Sequence, residues 1–150
     1  MASNTLTTSD AFACAIDIVG VSSLQTFVDS IPPYWKPMRA MIRERVGDDP
    51  SFLAAQSPLS RARDIRVPLM IGQGANDPRV PQRESDQIVE VMRENGIPVT
   101  YVVFEDEGHG FAHAINNLRF FAAAEDFLGK TLGGRVEPAD RSEAIEPFLR

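Results

Sequence analysis

The chain has 150 residues, is 43% hydrophobic and 24% charged, and carries a formal net charge of −6. That is the length of one domain and the composition of a soluble globular protein, with acid and base mixed along the chain and no basic stripe for nucleic acid. Its lone cysteine, Cys14, excludes an internal disulfide, and neither a signal peptide nor a run of transmembrane length is present, so the default location is the cytoplasm, with no membrane partner.

Residues 2–8 are short and polar and read as the last turns of a helix. Ala11 to Val21 is nearly continuous apolar sequence, which suits a strand buried on both faces of a parallel sheet, with Cys14 as a small buried hydrophobe. Ser22 to Ser30 predicts a short helix capped by Ser22 or Ser23 and stopped by Pro32-Pro33. Trp35 to Val46 has helical spacing, with Trp35, Met38, Met41, Ile42 and Val46 on one stripe. Pro50 opens another short helix through Ala55, and Ser57 to Arg66 reads as a loop.

Val67 to Ile71 is the second predicted strand. Pro81 to Asn95 is the clearest helix, ended by Asn95-Gly96, and Val99 to Phe104 is the third strand. Asn116 to Leu132 is the final helix, with Leu118, Phe121, Ala122, Phe127 and Leu128 as its apolar side and Gly133-Gly134 as its stop. Residues 135–150 form a polar tail expected to pack little, which leaves 1–134 as the folded unit. Strands alternating with helices imply a parallel sheet with right-handed crossovers. Three strands make a narrow sheet, and its apolar first strand offers a bare edge for self-association. The simplest expectation is a natural fold with further strands before Met1.

The carboxyl ends of strands carry the site in such sheets. Asp77 follows the second strand through Gly72-Gln73-Gly74-Ala75-Asn76, where the glycines allow a tight turn. His109 follows the third strand between Gly108 and Gly110. An aspartate there can accept a bond from a histidine ring nitrogen and fix its tautomer. The acid-then-histidine order at successive strand ends is that of the Ser…Asp…His hydrolases. Taken alone, Asp77 reads equally as a turn residue, and His109 as a lone surface or core histidine. Arg79 suits a substrate carboxylate or carbonyl, and equally a surface salt bridge.

Weaker patterns stand beside this pair. Gly72-Gln73-Gly74 starts like a dinucleotide loop, but Asp77 stands where the third glycine belongs. His109 and His113 lack the cysteines or HExxH pattern that would support zinc. Glu105, Asp106 and Glu107 suit a paired-carboxylate site, but an acidic loop at a strand end is usually solvated. No Gly-x-Ser-x-Gly turn occurs, and Ser22 and Ser23 are the best internal candidates for a nucleophile, without the second glycine of that turn.

Over about residues 8–134 the chain resembles the carboxy-terminal part of the catalytic domain of the prolyl oligopeptidase family, peptidase family S9. The resemblance rests on Asp10 to Gly20, Pro33-Tyr34-Trp35, Ser57-Pro58, Pro68 to Gly74, Asn76-Asp77-Pro78-Arg79-Val80-Pro81, Gly108-His109-Gly110-Phe111 and Leu132-Gly133-Gly134. It implies a partial α/β-hydrolase fold, three-layer α/β/α, holding the last three parallel strands of the sheet. It makes Asp77 the triad acid and His109 the triad base of a serine peptidase acting on peptides, with no metal or organic cofactor. It would put the nucleophile turn roughly half a dozen residues before Met1. Without a serine the pair forms no acyl-enzyme, so the chain alone is expected to be inactive. Two rivals stand beside this reading: a non-catalytic remnant that binds a partner through its bare sheet edge, and a related α/β-hydrolase esterase.

Overall fold

Alternation of side chains along two central strands decides the architecture. In the computed structural model, which describes residues 2–138 and 144–150, the elements in chain order are α1 (Ala2–Leu6), β1 (Ala15–Ile18), α2 (Leu24–Ser30), α3 (Lys36–Val46), α4 (Pro50–Gln56), β2 (Leu69–Gly74), α5 (Arg83–Glu94), β3 (Val99–Phe104) and α6 (Ala114–Leu132), with 3-10 turns over Pro58–Asp64 and Glu146–Phe148. The strands run parallel in the order β1-β2-β3, with Ala15 opposite Leu69 and Gly74 opposite Phe104.

Successive residues of a strand point to opposite faces. Leu69, Ile71, Tyr101 and Val103 therefore share one face, where they pack with Leu6, Ile65, Ile88, Val89 and Met92. Met70, Val102 and Phe104 share the other and pack with Phe120, Ala124 and Phe127 of α6. Helices on both faces of a parallel sheet make the three-layer α/β/α arrangement. A smaller cluster of Val28, Ile31 and Ile42, with Phe27 and Val46 against it, joins α2 to α3.

Several local expectations hold. Ser23 caps α2 by accepting from the Thr26 N–H (3.3 Å), and Pro50 opens α4, where Asp49 adds a cap not read from the sequence by accepting from the Phe52 N–H (2.7 Å). Gly96 takes a left-handed φ of 67° just after α5.

Others change. β1 is four residues long and half-buried rather than sealed on both faces, and Cys14 is half-buried too, because the helical layers centre on β2 and β3. Among the described residues β1 pairs only with β2. Val19, with φ 51°, turns the chain sharply out of β1, a costly conformation for a β-branched residue. β2 runs on to Gly74, beyond the expected Ile71. The stretch read as a loop before it contains the 3-10 turn. On α6 the buried side is Asn116, Phe120, Ala124 and Phe127, while Leu118, Phe121 and Leu132 are more than half exposed. The helix is apolar around much of its circumference, so spacing alone does not pick the inner face.

The tail packs more than expected. Phe148 lies 4.9 Å from Phe104 between ring centroids, and the Arg119 guanidinium stands over the Phe148 ring at 4.9 Å. Leu149 bridges antiparallel to Val102, and the Arg150 N–H donates to the Tyr101 carbonyl (2.9 Å), so the last residues line the outer edge of β3. The part of the predicted tail at 139–143 lies outside the described residues.

Candidate active site

Because β2 and β3 are parallel neighbours, the loops that leave their carboxyl ends start side by side. The contact between those loops is made of backbone. A Cβ built on Gly74 would lie 2.2 Å from the Gly108 carbonyl oxygen and 2.6 Å from that of Glu107. The Ala75 N–H donates to the Phe104 carbonyl (3.0 Å), and the Asn76 N–H to the Glu107 carbonyl (2.9 Å). Gly72 and Gly74 therefore serve close approach within a strand, not the turn predicted for them. A nucleotide-binding loop is not formed there.

This approach brings the two predicted residues together. The His109 Nδ1 lies 2.8 Å from Asp77 Oδ2. The Asp77 side chain is fully buried, and that of His109 is one-third exposed. The other oxygen of Asp77 accepts from the Arg79 N–H (2.7 Å) and the Val80 N–H (2.9 Å). All the carboxylate's strong bonds are thus local, and they aim one oxygen at the histidine. Gly110 has a φ of 103°, and Gly108 and Gly110 bridge each other, which folds the chain tightly around the imidazole. With Nδ1 on Asp77, the Nε2 edge is the one left to face a reactant.

A cavity of about 480 Å³ adjoins His109, walled by Phe27, Ile31, Trp35, Met38 and Val80 and by Arg79. Arg79 is exposed at this cavity, and its N–H is bound to Asp77. Ser22 and Ser23 are not presented to His109. Both are buried: Ser22 Oγ donates to Glu84 Oε2 (3.3 Å) and accepts from Gln87 (2.9 Å), while Ser23 Oγ caps α2. His113 sits against Glu107 and Asp106. Among the described residues, no group of three His, Cys, Asp or Glu gathers as a metal site.

Gln73, Glu84 and Glu107 are buried polar residues whose burial the sequence reading did not assign. Gln73 donates to the carbonyls of Gly74 (3.0 Å) and Val80 (3.1 Å) and accepts from Ser85 Oγ (2.8 Å), which braces the Asp77 loop from below. A glutamine inside an apolar strand was the available signal. Glu84 is buried at the start of α5. Glu107 is buried as well, unlike a solvated loop acid, and receives the N–H groups of Ala112 (2.9 Å) and His113 (2.9 Å) and the Asn116 amide (3.0 Å). Burial pushes its carboxyl up, but those hydrogen bonds and the nearby His113 outweigh burial and hold it below the usual range. Glu107 thereby ties the loop holding His109 to the first turn of α6.

A parallel sheet between two helical layers, with an acid and a histidine at adjacent strand ends, matches the order found in α/β hydrolases. The family model of the prolyl oligopeptidase family matches residues 1–135. The chain belongs to that family. It is 54% identical over 136 residues to Dipeptidyl aminopeptidase BIII of Pseudoxanthomonas mexicana, covering 87% of this chain and 20% of that protein. It is 44% identical over 137 residues to Dipeptidyl peptidase family member 6 of Caenorhabditis elegans, covering 87% of this chain and 18% of that one. A puromycin-hydrolyzing peptidase of Mycobacterium tuberculosis superposes with a TM-score of 0.80 at 31% identity, over 90% of this chain and 21% of that structure. The chain spans about a fifth of the length of the curated relatives it matches. No helix among the described residues is long and apolar enough to cross a membrane.

Proposed function

We propose that this chain is the acid–base portion of a serine peptidase, with Asp77 as the triad acid, His109 as the general base, and the nucleophilic serine supplied from outside these residues. The observation that carries the reading is the 2.8 Å contact between His109 Nδ1 and a buried Asp77 whose second oxygen is held by two backbone N–H groups. An aspartate so fixed keeps the Nδ1 proton on the imidazole and leaves the Nε2 lone pair to accept the serine proton. As the serine oxygen attacks a peptide carbonyl, the imidazole becomes positively charged, and Asp77 stabilises that charge. Nε2 then returns the proton to the leaving amine, and the acyl-enzyme is later hydrolysed by water. The cavity beside His109 takes an apolar side chain of the peptide substrate. Arg79 at the same cavity binds a substrate carbonyl or carboxylate.

The test places residues of this chain in the matching span of the Pseudoxanthomonas dipeptidyl aminopeptidase, which supplies the remaining four-fifths. The expected result is cleavage of a dipeptidyl chromogenic amide, reduced about 10⁶-fold in kcat by His109→Ala. A folded but inactive chimera, or one indifferent to His109→Ala, would overturn the reading. The isolated chain should gain no mass from a fluorophosphonate. A stoichiometric gain that His109→Ala abolishes would refute the external nucleophile.

A further inference from the structure

Adjacent residues on the first turn of α5 reach in opposite directions. Ser85 Oγ donates to Gln73 Oε1 (2.8 Å), and Gln73 holds the carbonyls of Gly74 and Val80, which bracket Asp77. Glu84, 1% exposed, reaches the connection between β1 and α2. Its carboxylate accepts from the N–H groups of Ser22 (3.2 Å) and Ser23 (2.9 Å), from the Ser22 and Thr26 hydroxyls, and from the Gln87 amide (3.2 Å). An acceptor with this many donors is the dominant polar anchor for the start of α2. That helix carries Phe27 and ends at Ile31, and the Trp35 N–H then donates to the Pro32 carbonyl (2.9 Å). Phe27, Ile31 and Trp35 form the α2 side of the wall of the cavity beside His109, opposite Val80 and Arg79 of the acid's loop.

From this we infer that Glu84 and Ser85 are positioning residues that form a two-way clamp: Glu84 sets the α2 side of the substrate side-chain cavity, and Ser85 sets the loop of the acid. The inference rests on the reading of Asp77, His109 and the cavity given above. Neither residue touches the reacting atoms. The clamp fixes the gap between the acid–base pair and the side chain of the bound peptide, so Glu84 governs which side chains fit, and Ser85 governs how well His109 is aimed. A second anchor, the Leu24 N–H on Ser57 Oγ (2.9 Å), keeps α2 attached when Glu84 is changed, so the wall shifts and does not detach.

The two arms have separate reporters in the 150-residue chain. Trp35 is the sole tryptophan and reports the wall through acrylamide quenching. The His109 Nδ1 proton, shared with Asp77, reports the acid–base pair through its low-field proton resonance. Glu84→Gln should raise the Trp35 quenching constant about twofold and leave the His109 resonance in place. Ser85→Ala should shift or broaden the His109 resonance and leave Trp35 quenching unchanged. The same effect on both reporters from either variant, or no effect on its own reporter, would overturn the clamp. Should Glu84→Gln fail to fold by far-ultraviolet circular dichroism, Thr26→Val removes one donor to the same carboxylate. It must then raise Trp35 quenching in a folded chain, and unchanged quenching refutes the proposal. Neither reporter needs catalysis, so an inactive chimera and a failed clamp are distinguishable results.

Discussion

Gly74→Ala is the sharpest perturbation of the contact that brings acid and base together. The added methyl would stand 2.2 Å from the Gly108 carbonyl oxygen. A close carbon–oxygen contact is about 3.3 Å, so the loops after β2 and β3 must part by about 1 Å. Both obstructing atoms are backbone, and no side chain can swing aside. The overpacking should cost about 1–3 kcal/mol of stability. The larger effect is on geometry: His109 Nδ1 and Asp77 Oδ2, now at 2.8 Å, would separate beyond hydrogen-bond range if the parting falls along their axis. A misplacement of that size costs about 10²-fold in rate. Urea denaturation measures the first effect, the low-field His109 resonance the second, and kcat of the chimera the third. A variant within about 0.5 kcal/mol of the parent, with the resonance unmoved, would refute the argument that backbone contact at Gly74 aligns the pair.

Three other outcomes are expected. Glu107 is held below its ordinary pKa of 4.5 in the folded chain. The stability it contributes is therefore full above that value and lost as pH falls through the lower folded value, and Glu107→Gln should flatten the acid limb of a urea-midpoint profile against pH. An unchanged acid limb would mean that its bonds to α6 contribute nothing to folding. Phe148→Ala removes a half-buried ring and its contact with Arg119, and should cost about 1–2 kcal/mol; a loss below about 0.3 kcal/mol would show that the tail does not dock. The isolated chain should self-associate through β1, read by light scattering against concentration, and Ile18→Lys, at an exposed residue of that strand, should weaken that association. A monomer at high concentration counts against it.

The acid and histidine were legible because their positions follow from strand order alone. Each sits just past an apolar run, and parallel neighbours put those ends together. β3 was found at its observed bounds for a related reason: Val99 to Phe104 is β-branched or aromatic throughout. What the sequence hides is which polar residues go inside. Glu105, Asp106 and Glu107 look alike in a row, yet Glu107 alone is buried, because α6 begins where its N–H groups can meet that carboxylate. Glu84 is buried for an equally remote reason, its partners lying about sixty positions earlier. Spacing does not pick the inner face of α6 because apolar residues surround the helix; Phe120 turns inward against Met70, Val102 and Phe104 and stacks near Phe111.

The tail along β3 gives the sheet a valence. With Leu149 and Arg150 seated against Val102 and Tyr101 on the outer edge of β3, the β1 side is the freer of the two edges for a neighbour. A body with one adhesive edge stops growing once that edge is met, so the expected product is a closed pair and not a fibre. Displacing the tail would make the same sheet bivalent, and the end point would change from a pair to an open-ended stack. If β1 self-associates as expected, Leu149 and Arg150 would set where that assembly ends.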